Sequence, residues 1–116
     1  MLKKTIEYVD YNGVERKEDF YFNLSKAEVT EMELSVDGGL ANMLEQIVNS
    51  KDNKRIVELF KKIILKAYGE KSPDGRRFMK SEEISQAFAE TEAYSELFIA
   101  LAMNAEEAAK FIEGIL

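Results

Sequence analysis

A chain of 116 residues, 46% of them apolar, is long enough for one hydrophobic core and too short for two, so a single domain over residues 1–116 is expected. It contains neither Cys nor His, which excludes a disulfide framework and removes the usual ligands of zinc, iron–sulfur and haem sites. The commonest general base near neutral pH goes with them. A non-enzyme without metal or cofactor is expected, and no residue is assigned a catalytic role. The start, "MLKKTIEYVDY", has no signal-peptide core, and no apolar run approaches the roughly 20 residues of a membrane span. A cytoplasmic protein is expected, with no membrane partner.

The net charge of −6 is unevenly spread. Residues 1–50 carry 5 basic and 10 acidic groups, residues 51–80 carry 10 and 4, and residues 81–116 carry 1 and 8. A basic middle between acidic ends suggests attraction between segments, between copies, or to a charged partner. Solvated helix faces whose signs differ by chance fit the same pattern.

Residues 2–11 and 14–24 are rich in β-prone types and are separated by Asn12-Gly13, a strong hairpin signal because both residues tolerate positive φ. Alternation is imperfect, with Ile6 and Tyr8 on one face and Val9 and Tyr11 on the other, so a bulge is compatible with the pattern. Phe20 and Phe22 are the expected anchors of residues 1–24 on the helical remainder, 25–116. A lone hairpin is marginal in water and must dock on helices or gain strands from another chain.

From Ser25 the period changes. Ser25 and Glu28 form a capping box that opens a helix to about Leu34. A second helix is predicted over about 40–49, with Leu40, Met43, Leu44, Ile47 and Val48 on one face. A third, capped by Asp52 or Asn53, runs over about 53–68. Its apolar face is Ile56, Leu59, Phe60, Ile63, Ile64 and Ala67; Glu58 can pair with Lys62 on the other. Ser81 caps a helix to about Glu90 and Thr91 another to about Met103, with Tyr94, Leu97, Phe98 and Leu101 as its stripe. Asn104 and Glu107 open the last, through Ile112, which Gly114 is expected to end. Its face of Ala105, Ala108, Ala109 and Ile112 is small enough for close helix approach. The expected fold is α+β: an N-terminal β-hairpin followed by a bundle of five or six mostly short helices.

The segment "YGEKSPDGRRFMKS", Tyr68 to Ser81, separates two of these helices. A phosphate loop would need glycines where Glu70 and Leu65 stand, and a preceding strand. A calcium loop would need oxygen ligands where Lys71 and Pro73 stand. What remains is shape: Gly69 suits a left-handed position ending the third helix, and Ser72-Pro73-Asp74-Gly75 suits a β-turn. Arg76, Arg77 and Phe78 then make a candidate contact for an acidic protein partner. In the plainer reading Phe78 plugs the loop onto the core and the arginines neutralise the acidic last third. Nucleic acid is not the expected partner: the chain is acidic, and its basic helix lacks interleaved aromatics.

Phe98 to Met103, "FIALAM", is apolar almost all round. One helix of a small domain is hard to bury on every side, so Tyr94, Phe98, Ile99 and Met103 join the candidate partner-binding residues.

Taken in order, "FYFNLSKAEVTEMEL", "LFKKIILKAYGEKSPDGRRFMKS" and "FAETEAYSELFIALAMNAEEAAKFIEGIL" resemble the small tail assembly chaperones of long-tailed (siphovirus-type) phages and prophages of Gram-positive bacteria. The resemblance covers nearly the whole chain and is most specific over Tyr68 to Ser81 and "TEAYSELF". It implies a non-catalytic role in tail morphogenesis: coating the long, helical tape-measure protein until tail-tube subunits polymerise around it. It also implies self-association, a place in the host cytoplasm and absence from the mature virion. A small cytoplasmic adaptor or regulator acting as a dimer is the alternative that the residues alone leave open.

Overall fold

The computed structural model describes residues 1–35, 45 and 53–116. The helix expected over 40–49 and the capping role of Asp52 lie outside the described residues. An N-terminal antiparallel hairpin, β1 (Leu2–Val9) and β2 (Glu15–Phe22), leads into α1 (Lys26–Ser35). Then come α2 (Asn53–Ala67), β3 (Tyr68–Lys71), β4 (Phe78–Met79), α3 (Glu82–Ala89), α4 (Glu92–Ala102) and α5 (Ala105–Ile115). With five helices among the described residues, the fold is α+β, as expected. Beyond the expectation, β3 and β4 extend the hairpin into a four-stranded antiparallel sheet ordered β1-β2-β3-β4.

The hairpin register is unbroken from Leu2 opposite Phe22 to Val9 opposite Glu15. Its turn is a three-residue loop rather than a two-residue Asn-Gly turn. The Asp10 carboxylate accepts from the N–H groups of Asn12 (2.9 Å) and Val14 (3.0 Å), and its own N–H donates to the Val14 carbonyl. Gly13 takes the one left-handed position, φ 79°, while Asn12 keeps an ordinary negative φ. The extra residue is absorbed there, so neither strand needs a bulge.

Alternation sorts the hairpin into two faces. Leu2, Ile6, Tyr8, Phe20 and Phe22 turn to the helices, whereas Lys3, Thr5, Glu7 and Lys17 are exposed. Phe22 is fully buried, its ring 5.6 Å from that of Tyr68, 5.7 Å from Phe88 and 5.2 Å from Phe111. Phe20 is only half-buried and meets Phe88 at 5.4 Å. Both expected anchors therefore hold the hairpin to the helices, with Phe22 at the centre.

The helices follow their caps. Ser25 and Glu28 bond reciprocally (3.0 and 3.1 Å), and Ser81, Thr91 and Asn104 each accept from the first turn of the helix that follows. On α2, Phe60, Ile63, Ile64 and Ala67 are buried and Leu59 is half-buried, but Glu58 and Lys62 form no ion pair. On α5 the core face is Ala108, Phe111, Ile112 and Ile115, while Ala105 is exposed. The helix runs through Gly114 instead of ending there, because that residue serves packing: a Cβ would stand 3.0 Å from Leu2 Cδ1. No helix among the described residues is long and apolar enough to cross a membrane.

Candidate protein-interaction site

The seven candidate residues fall on two separate surfaces. Arg76, Arg77 and Phe78 belong to the β3–β4 hairpin, at one edge of the sheet. Tyr94, Phe98, Ile99 and Met103 belong to α4 and its C-cap, and α4 packs chiefly on β1, the opposite edge strand.

The β3–β4 connection is a tight, self-bonded turn. Gly75 N–H donates to the Ser72 carbonyl (2.9 Å), as the β-turn expectation requires, and Ser72 N–H donates to the Arg77 carbonyl (2.8 Å). The buried Ser72 hydroxyl lies 2.6 Å from Asp74 Oδ1 and accepts from Arg77 N–H at 3.0 Å, and Asp74 accepts Arg76 N–H at 3.1 Å. The Ser72 hydroxyl first, then the Arg76 N–H, holds the Asp74 carboxyl below its ordinary pKa. Inward bonding of this kind leaves Arg76 and Arg77 exposed at the tip, and neither forms an ion pair with a carboxylate among the described residues. Contact neutralisation of the acidic last third is therefore not what the arginines do.

Phe78 is half-buried and explains Gly69, which is a strand residue without positive φ and not a left-handed helix stop. A Cβ on Gly69 would stand 2.6 Å from Phe78 Cε2 and 2.9 Å from the Met79 carbonyl oxygen. Any side chain there would push β4 off β3. Phe78 thus packs on Gly69 inside the β3–β4 hairpin and does not plug the loop onto the core as the plainer reading expects, and Arg76 and Arg77 stay exposed beside it.

Behind Phe78 sits a contact that sequence reasoning missed. The Lys80 ammonium bonds both Glu28 oxygens (2.9 and 2.7 Å) and the Asn23 carbonyl (2.6 Å), and it lies 5.6 Å from the Phe78 ring centroid. It ties β4 to the capping box of α1 across 52 residues, and no local pattern could announce it. Burial pushes the Glu28 carboxyl up, but the Lys80 bond and the Ser25 N–H outweigh it and hold the carboxyl below its ordinary value. A carboxylate with a lowered folded pKa stabilises fully above its unfolded value, about 4.3, and loses that contribution as pH falls through the folded value. Urea unfolding of Glu28→Gln is expected to show a loss of about 1.5 kcal/mol at neutral pH. That difference from the parent should shrink below about pH 4; a constant difference down to acid pH would show that the charge contributes nothing.

On α4 the helix register divides the candidates. Leu97 and Leu101 are buried, and Tyr94 and Phe98 (ring centroids 6.0 Å apart) pack against the core. At about 100° per residue, Ile99 and Met103 fall on the far side. They are 58% and 82% exposed. Phe98 does not share their patch. Glu92 and Glu96 fall on the same side, so the outer face of α4 reads Glu92, Glu96, Ile99, Met103, acidic at one end and apolar at the other. The carboxylate of Glu92 raises the pKa of the Tyr11 phenol at the hairpin tip.

Among the described residues no group of carboxylates is arranged to hold a metal ion. The described surface thus carries two exposed, unlike patches on a bonded scaffold, one cationic and one acidic-to-apolar. The sequence model of the family described as phage tail assembly chaperone matches residues 1–116, and the chain belongs to that family. No curated protein and no solved structure matches it.

Proposed function

We propose that this chain binds the tape-measure protein of its own phage and keeps it soluble while the tail tube assembles. Family membership supports a chaperone role in tail assembly; the partner is our reading. The observation that carries it is the outer face of α4, where Ile99 and Met103 lie exposed on a helix whose other side is core. An apolar stripe of this spacing suits the apolar seam of a long amphipathic helix, in the helix-in-groove manner. Individual contacts can be weak, because many copies on one long chain gain by multivalency.

In this reading the protein acts by binding alone, in the cytoplasm of the host, and gives way to tail-tube subunits. Successive copies line up with the basic Arg76–Arg77 tip of one against acidic helices of the next. The test is co-expression with the tape-measure protein from the same genome. Soluble co-purification with several copies per partner is the expected result, with the copy number falling as salt is raised to about 1 M. A tape measure that stays insoluble overturns the reading. Copy number indifferent to salt overturns the charge-driven line-up alone.

A further inference from the structure

The sheet ends at β1 in an edge whose backbone groups are unpaired, and that edge is complementary to itself. In an antiparallel ladder, residues alternate between those bonded to the neighbouring strand and those whose N–H and C=O point away. Two observations set the parity. Asp10 N–H bonds the Val14 carbonyl, and Asn23 N–H bonds the Ala67 carbonyl on the far side of β2. Even-numbered residues of β1 therefore bond β2, and Lys3, Thr5, Glu7 and Val9 point their backbone groups out of the sheet. No other group among the described residues takes them.

Natural edges are blunted by a Pro, a bulge, a short strand, charged side chains or a covering helix. Strand β1 carries the charges Lys3, Lys4 and Glu7 and has α4 packed on it, but lacks the first three. Here β1 is eight residues long, with no Pro and an unbroken register. We propose that it pairs with β1 of a second copy, antiparallel about a two-fold axis at Thr5. In that register Thr5 meets Thr5 and Lys3 meets Glu7, twice over, and the outward residues of each strand bond one another. Sliding the strands one way sets Lys3 against Lys3, and the other way Glu7 against Glu7. Unlike charges opposite each other stabilise a strand pair, and like charges oppose it, so the charge pattern selects one register. The side chains are available: Glu7 and its partner Lys17 are 75% and 69% exposed and 3.6 Å apart, a loose surface pair. The axis stands perpendicular to the sheet, so the two helical layers share one side and the four-stranded sheets join into one. The pairing uses neither the β3–β4 tip nor Ile99 and Met103, and it does not rest on the tape-measure reading.

A strand pair of this length buries less than the roughly 1,200 Å² of a standard stable interface, so a reversible dimer with a micromolar dissociation constant is expected. Sedimentation velocity from about 10 μM to 1 mM tests it. Lys3→Glu alone and Glu7→Lys alone should each weaken the dimer at least about tenfold, because each sets like charges opposite twice. An equimolar mixture of the two variants should form one-to-one heterodimers, since every cross-strand pair is then again unlike. Thr5→Pro should be monomeric yet folded, because the N–H it removes points away from β2; Thr5→Val, which keeps that N–H, should still dimerise. If Thr5→Pro unfolds, the charge-swap mixture decides. A parent protein that stays monomeric throughout, as it would if α4 overhangs the edge and excludes a second strand, overturns the proposal. So does a dimer indifferent to both charge swaps.

Discussion

Replacing Phe22 by Ala is expected to lower stability by about 3–5 kcal/mol, the usual cost of deleting a fully buried aromatic ring. Of a typical total of about 5–15 kcal/mol, that is enough to leave a substantial unfolded fraction at physiological temperature. The reason is where the ring sits. Phe22 is the last residue of β2, pairs through its backbone with Tyr68 of β3, and touches rings from β3, α3 and α5. At 0% exposure it has no solvent into which the cavity could open. The surrounding rings are held as well, since Tyr68 stacks on Phe88 with centroids 4.1 Å apart, so collapse into the void is limited. Urea denaturation should show a midpoint lower by roughly 2 M, at a slope of about 1.5–2 kcal/mol per M. Phe20→Ala, at a half-buried position of the same face, should cost about half as much. Equal costs for the two would mean that Phe22 does not join hairpin to helices in the way its contacts suggest.

What was legible in the sequence is what short range decides. Ser25 with Glu28, Ser81, Thr91 and Asn104 all bond backbone within three residues, so four helix starts could be read locally. Asn12-Gly13 marked the hairpin for the same reason, although the turn is organised by Asp10, whose carboxylate bonds were not foreseen. The two misread glycines share one cause. Gly69 and Gly114 were given backbone roles as helix stops, yet each is small because a distant side chain, Phe78 or Leu2, lies against it. Strands β3 and β4 were missed because four and two residues carry no period of their own. They exist because Tyr21 and Phe22 of β2 offer an edge to Gly69 and Tyr68. The same limit applies to the site. An all-round apolar helix showed that some of Phe98 to Met103 must face outward, but only the placement of α4 on β1 decides that Phe98 turns in and Ile99 out.

That division makes the outer face of α4 separable from the fold by mutation. The double substitution Ile99→Glu, Met103→Glu is expected to leave the unfolding free energy within about 0.5 kcal/mol of the parent's, since both side chains already stand in water. It places two carboxylates beside Glu96 on the same face, so the stripe becomes acidic along its length. An apolar helix seam cannot then be covered without burying unpaired charge, which costs several kcal/mol per group if water is excluded. Co-purification of the tape-measure protein should fall at least about tenfold, equivalent to 1.4 kcal/mol. Phe98→Ala could not make this distinction, because its ring packs against the core and its loss would weaken fold and surface together. Arg76→Glu with Arg77→Glu is the matched control at the other surface: it should reduce copies per partner and their salt sensitivity while single-copy binding persists. If instead the α4 double variant co-purifies as the parent does and the arginine pair abolishes binding, the β3–β4 tip is the contact with the partner. The exposure of Ile99 and Met103 would then belong to contacts between copies.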